Sequence, residues 1–321
     1  MKTAWLRRLP LASVLFLSAC GMLKSCGTHS SLTAEQIETA YSDPLPTPDT
    51  GLRVYHLGHS LVGRDIPVML DQLAGRGHSH NSQLGWGTPL KAHWEPGEEI
   101  FGFETENDHP AYRDAKEALD SGDYDAVVFT EMVEIKDAIK YHGSPDYLSR
   151  WADLTRKGNP NARLYLYETW HNTDDPAGWL TRIDEDLTRY WEDEVLLPAM
   201  ARTDPVKPIY VIPAGQVMAR FVREVETRGG VDNIADRYGL FARQADGTPD
   251  TIHLNDLGAY LTSLTHYAVL YHATPVGLPI ELQRADGTKA DAPGPEAARL
   301  MQDVVWQVVT SYPKTGVVQA P

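Results

Sequence analysis

The strongest constraint on the fold is an alternation. Short β-rich runs, each bounded by a glycine, proline or polar turn, are separated by stretches whose apolar residues recur at helical spacing. Leu52-Arg53-Val54-Tyr55-His56-Leu57 ends at Gly58, and apolar positions spaced for a helix follow from Ile66 to Leu73. Tyr124 to Phe129 comes after the turn-prone Ser121-Gly122-Asp123 and a helical pattern from Ala111 to Leu119. Arg163 to Tyr167 follows a Gly-Asn-Pro-Asn turn, and Pro208 to Ile212 precedes Pro213 and another helical segment. Trp179 to Met200 reads as a long amphipathic crossover helix, and Leu257 to Leu270 is also helical in period. Strands that alternate with helices predict an α/β fold, with a mainly parallel sheet covered by helices on both faces. Such sheets bind ligands beyond the carboxyl ends of their strands. Ser60, Thr130, Glu168 and Pro213 fall at those ends.

A chain of 321 residues, 42% hydrophobic, suits one large domain better than two. Its first residues read as a targeting segment: Lys2, Arg7 and Arg8 are basic, Leu11 to Leu17 is a short apolar run, and Leu17-Ser18-Ala19-Cys20 closes it. That run is too short to span a bilayer. Leu-Ser-Ala-Cys resembles the bacterial lipobox, which implies a signal peptide over residues 1–19 and lipidation of Cys20. An ordinary signal peptide cut nearby is the alternative. With Gly21 and not an aspartate after the cysteine, the resemblance implies an envelope protein, on the outer membrane facing the periplasm in a Gram-negative cell. Ser25 to Pro48, rich in Ser, Thr and Pro, reads as a tether, so that residues 20–50 link the anchor to a domain over 51–321. If Cys20 is lipidated, Cys26 has no partner for an internal disulfide. A formal charge of −15 argues against nucleic acid, or an anionic membrane surface, as the main ligand.

Two short blocks carry the chemistry. Gly58-His59-Ser60-Leu61 places a serine just after the first strand, and Asp250-Thr251-Ile252-His253 supplies a carboxylate and an imidazole three positions apart. Each block has a plain reading alone: Ser60 as a helix cap, Asp250 as a cap for the next helix, His253 on the surface. Together they are the nucleophile, base and orienting acid of acyl-transfer catalysis. The G-x-S-x-G elbow of α/β-hydrolases is absent around Ser60, so another serine-hydrolase architecture is indicated.

The pairing resembles the SGNH (GDSL-like) hydrolase superfamily, whose first block ends in a serine after the first strand and whose last block is D-x-x-H before a helix. The resemblance implies a three-layer α/β/α flavodoxin-like domain and an ester hydrolase in which Ser60, His253 and Asp250 form the triad. It also implies an oxyanion amide from the Gly85-Trp86-Gly87-Thr88-Pro89-Leu90 segment. Gly87 is the preferred residue there, although the segment also reads as a glycine-rich turn. Two departures stand out. The family's third-block asparagine is replaced by Thr130-Glu131, which could donate to the oxyanion or bind substrate hydroxyls, and His59 stands where Asp or Asn is usual.

Glu168-Thr169-Trp170-His171 lies at the same sheet edge, and Trp86, Trp94 and Trp170 could stack on a sugar or could be core and rim aromatics. His78-Ser79-His80 reads as a solvated loop. No metal motif accompanies it, and neither a metal nor another cofactor is expected. The expected activity is removal of acyl groups, acetyl above all, from a carbohydrate or small ester. An O-acyltransferase with the same triad and a non-catalytic glycan-binding lipoprotein are the alternatives.

Overall fold

The computed structural model describes Met1 and residues 31–43, 45–75 and 77–318. The basic and apolar leader, Cys20 and Cys26 lie outside the described residues. Five strands, β1 (Arg53–His59), β2 (Ser79–Gly85), β3 (Ala126–Phe129), β4 (Arg163–Glu168) and β5 (Tyr210–Pro213), form a parallel sheet in the order β2-β1-β3-β4-β5. This is the doubly wound order of flavodoxin-like folds, and it puts the switch point between β1 and β3. The expected fold class is the one found.

Period-two alternation along the strands separates two cores. Val54, Ala126, Val128, Tyr165, Tyr167 and Ile212 point to one face. There they meet α2 (Asp65–Ala74), α10 (Ala214–Arg228), α11 (Asp256–Tyr271) and α12 (Pro295–Ser311). Tyr55, Leu57, Val127, Phe129, Leu164 and Val211 point to the other. That face is covered by α5 (Ala115–Ser121), α6 (Ile135–His142), α7 (Ser144–Gly158) and the later part of the expected crossover helix, whose first turns, at Trp179 and Ile183, pack into the other core. The crossover runs from α8 (Trp179–Asp186) through a π-helical stretch (Leu187–Leu196) into α9 (Leu197–Met200). Burial on both faces is why the central strands are apolar throughout.

Three features differ from the sequence reading. His78-Ser79-His80 is not a solvated loop: Ser79 opens β2, the His78 ring is buried against Tyr271 (Nδ1 to Oη, 2.6 Å), and His80 Nδ1 lies 2.8 Å from Asp71. The edge strand Ser-His-Asn-Ser-Gln-Leu-Gly has almost no apolar signal, because its polar side chains are met by side chains of α2 and by the loop before α5. The expected tether is folded over part of its length. Thr33 and Gln36 form a reciprocal capping box that starts α1 (Ala34–Tyr41), and the Tyr41 hydroxyl donates to Ile209 O at 2.7 Å. Finally, β6 (Phe241–Arg243) and β7 (Pro249–Leu254) make a small antiparallel pair outside the main sheet, and β7 carries the D-x-x-H tetrad. Among the described residues, no helix is long and apolar enough to cross a membrane.

Candidate active site

Ser60 is the first residue beyond β1, in a turn that leads into α2. The turn needs a close approach. A Cβ on Gly58 would come within 2.6 Å of Thr130 Cβ, so only glycine lets β1 pass the end of β3 here. Two buried histidines then fix the turn. His93, in α3 (Leu90–Trp94), donates from Nε2 to Gly58 O at 2.9 Å. Its Nδ1 accepts from Gln83 Nε2, and Gln83 Oε1 accepts from Ala115 N at the start of α5. His59 donates from Nε2 to Glu131 O at 2.7 Å and takes the Leu61 amide on Nδ1. Each ring must present one bare nitrogen, so each must be neutral. Burial enforces this: it outweighs the helpful carbonyl contact and lowers both pKa values to about 4. In His59, a charge on His253 pushes the same way.

The D-x-x-H tetrad reaches this turn from β7. His253 Nε2 lies 3.2 Å from Ser60 Oγ, and His253 Nδ1 lies 3.1 Å from Asp250 Oδ2. The other carboxylate oxygen of Asp250 accepts the amides of Ile252 and His253, both at 2.8 Å. Partial burial works to raise the Asp250 carboxyl, but the two amides and the His253 ring outweigh it and hold the carboxyl below its ordinary value. Asp250 therefore stays ionised beside the imidazole and selects the tautomer with Nδ1–H. The bare Nε2 then faces the serine hydroxyl. The contacts are at the long end of hydrogen-bond range, a looseness common in catalytic pairs before they close on a substrate. Asp250 does not cap the following helix. Asn255 does that, accepting from Leu257 N and Gly258 N at the head of α11.

The tetrad is held from outside the sheet. Trp170 Nε1 donates to Ile252 O at 2.8 Å, Thr173 N donates to Thr251 O at 2.8 Å, and the Thr251 hydroxyl donates to Asn172 Oδ1. Trp170 is fully buried, so it is a support for the catalytic segment and not a sugar platform. Trp94 is partly buried edge-on against Trp151, with ring centroids 4.8 Å apart, and takes no part in the cleft wall. Trp86 alone of the three lines the cleft.

That cleft, about 670 Å³, is bounded by Ser60, Gly63, Trp86, Gly87, Glu106, Val133, Asn172, Ile252 and His253. Its size suits a small-molecule ligand. Gly87 adopts φ +57°, the left-handed region that favours glycine, and it lines the cleft beside Ser60.

Thr130 and Glu131, expected at the oxyanion or on substrate hydroxyls, are not in the cleft. Both are fully buried. Thr130 packs under Gly58, and Glu131 is a bolt: Oε1 accepts from Leu90 N and Met132 N, and Oε2 takes the Ser144 hydroxyl at 2.5 Å. Burial raises its pKa against the pull of those donors. Glu131 thus anchors α3, and with it the loop carrying Gly87, to the end of β3 and the head of α7. Glu168 is buried too, accepting from Gln216 of α10, and desolvation pushes its pKa to about 8. His171 packs against Asp186, which Arg182 holds.

The sequence reading missed Gly63, Val133, Asn172, Ile252 and Glu106, which lies in α4 (Phe103–Asn107), as cleft residues and His93 as a support. Only His93 carried a signal, through its short spacing from Gly87. Among the described residues, no group of three or more His, Cys, Asp or Glu side chains could hold a metal ion.

A doubly wound α/β/α sheet with a Ser-His-Asp arrangement at its carboxyl edge is the class of molecule that this geometry defines. No family model and no curated protein matches the chain. Among solved structures, a DUF4886 family protein from Bacteroides uniformis superposes with a TM-score of 0.51 at 15% identity, over 83% of this chain and 96% of its own. A carbohydrate esterase family 2 enzyme with a carbohydrate binding domain, from Corynascus thermopiles (Myceliophthora fergusii), superposes with a TM-score of 0.32 at 12% identity, over 70% and 67%. The first likeness is one of fold, and the second is too loose to carry an argument.

Proposed function

We propose that this protein is a serine esterase of the SGNH type that removes acyl groups, acetyl above all, from a carbohydrate or a small ester. The observation that carries the reading is the line of contacts from Ser60 Oγ to His253 Nε2 and from His253 Nδ1 to Asp250, at the mouth of a cleft.

The Ser60 oxygen attacks the ester carbonyl carbon while its proton passes to His253 Nε2. The carbonyl oxygen takes up the negative charge against the amides of Ser60 and Gly87. The ester C–O bond breaks, the leaving alkoxide takes the proton from His253, and an acyl-Ser60 remains. Water then attacks the acyl carbon and gives its proton to His253, and the free acid leaves as Ser60 regains its hydrogen. Asp250 stays ionised throughout and stabilises the imidazolium. The third-block asparagine has no counterpart in the cleft wall at Thr130-Glu131, so the two backbone amides carry the oxyanion. The Leu17-Ser18-Ala19-Cys20 pattern supports attachment to the bacterial envelope through a lipid on Cys20.

p-Nitrophenyl acetate hydrolysis by the purified protein tests the reading. Ser60→Ala and His253→Ala are each expected to lower kcat by about 10⁴ or more while leaving the fold intact. Unchanged turnover in either variant overturns it.

A further inference from the structure

Trp86 is half-exposed, 52% of its surface, and among the described tryptophans it is the one that lines the cleft. Leaving an indole in water forgoes burial energy, so its retention there needs a reason. The ring is also held in place. Its backbone amide donates to Phe101 O at 2.7 Å, and its Nε1 donates to Glu106 Oε1 at 2.7 Å. One side of the ring lies on the backbone of Gly102 (φ +69°), where a Cβ would come within 2.3 Å of Cδ2 and Cε2. With its N–H spent and one side seated, what the indole offers the cleft is a rigid apolar face.

Besides Ser60 and His253, the polar side chains that share the cleft wall with that face are a carboxylate and a side-chain amide. Glu106 keeps a second carboxylate oxygen, Oε2, beyond the one that holds Trp86, and Asn172, whose Oδ1 accepts from Thr251, keeps its NH₂. One acceptor and one donor beside a flat apolar surface match the hydroxyls and C–H face of a pyranose. Among the described residues, no Lys or Arg lines the cleft. Arg64, just before α2, is turned to Thr105 O and Asp108 O and lines a neighbouring groove. A carboxylate or phosphate on the ligand would therefore face Glu106 with no cation to pair it.

We infer that Trp86, held by Glu106 and Gly102, is a stacking platform for a neutral pyranose ring, and that Glu106 turns away acidic sugars. The inference rests on the esterase reading for turnover but not for binding. An aromatic acyl group could also stack on the ring, and the test separates the two.

The test measures kcat/KM of the wild type, Trp86→Ala and Trp86→Phe on p-nitrophenyl acetate, and on a panel of mono-O-acetylated methyl glucosides, xylosides and glucuronides. Alongside, binding of the corresponding deacylated glycosides is followed by tryptophan fluorescence and NMR. Trp86→Ala is expected to raise KM for acetylated neutral glycosides about tenfold and to weaken binding of the deacylated glycosides to the same degree, with a smaller loss on p-nitrophenyl acetate. Trp86→Phe should recover most of the loss, and glucuronides should bind at least about tenfold more weakly than glucosides until Glu106→Gln narrows the gap. Equal losses on both substrate types, equal affinity for glucoside and glucuronide, or a preference for p-nitrophenyl ferulate over acetate that is lost in Trp86→Ala, would each overturn the platform. If the wild type hydrolyses no ester, the esterase reading fails, and the glycoside-binding arm alone decides the platform.

Discussion

At the scale of single residues, the behaviour of His253 depends on one carboxylate oxygen. Asp250 Oδ1 is occupied by two backbone amides, which leaves Oδ2 to hold the imidazole N–H. In Asp250→Asn the amide oxygen can keep the two backbone contacts, but the new NH₂ faces Nδ1 and favours the wrong tautomer. Turnover on p-nitrophenyl acetate is expected to fall by about 10³–10⁴, with a change in stability of only about 1 kcal/mol, read by denaturant melts. His93 has a different role, since it touches the turn and not the ester. His93→Phe leaves Gln83 Nε2 without its partner and takes a donor from Gly58 O in a buried site, at a cost of about 1–3 kcal/mol. A loss in kcat greater than in KM, partly restored in His93→Gln, marks it as a positioning residue. Equal activity in His93→Phe contradicts that role.

Among the elements, the small β6–β7 pair depends most on its neighbours. It lies outside the main sheet and is tied to the loop after β4 by Trp170, Thr173 and Asn172. Trp170→Phe keeps an aromatic ring in the core but removes the donor to Ile252 O, and kcat is expected to drop about tenfold as His253 loses its fixed distance to Ser60. A variant with wild-type kcat would show that β7 holds its own geometry. The strands with two buried faces announce themselves as apolar runs, and the pairing of Gly58-His59-Ser60 with the D-x-x-H block marks three side chains that meet, so the central sheet and the Ser60-His253-Asp250 contacts are both legible in the residue string. The edge strand β2 is not, because its stabilising partners are Asp71, Ala111 and Ala115, remote in sequence. For the same reason Thr130 and Glu131 looked like site residues. A polar pair at a strand end is ambiguous until burial shows Glu131 closed off by Leu90, Met132 and Ser144. Trp86, Trp94 and Trp170 are alike as letters and differ only in what packs on them.

The whole molecule carries its chemistry in a protein that should weaken in acid. His59, His93 and His266 are fully buried with pKa values lowered to about 4, and burial lowers His78 to about 4 as well. In the unfolded chain these rings take up protons near pH 6.5 while the folded rings do not. The stability they contribute is full above about pH 6.5 and is lost as pH falls through about 4, at roughly 2–3 kcal/mol per fully buried ring. Glu168 acts in the opposite sense: with its folded pKa raised to about 8, its contribution is full below the unfolded value of 4.5 and is lost as pH rises through 8. Below about pH 6.5 the several histidines outweigh the one glutamate, and above it only the Glu168 loss continues, so thermal melts across pH 4 to 9 are expected to show a maximum near pH 6.5, and Glu168→Gln should flatten the fall on its alkaline side. A Tm that rises steadily from pH 7 to pH 4 would contradict the buried neutral histidines. The central claim, that Ser60 is an activated nucleophile, is tested most directly by a fluorophosphonate probe and mass mapping of the adduct. One adduct per chain, on the peptide containing Ser60, abolished in Ser60→Ala and strongly slowed in His253→Ala, is the expected result; no adduct on the wild-type protein, or one that persists in Ser60→Ala, would contradict it.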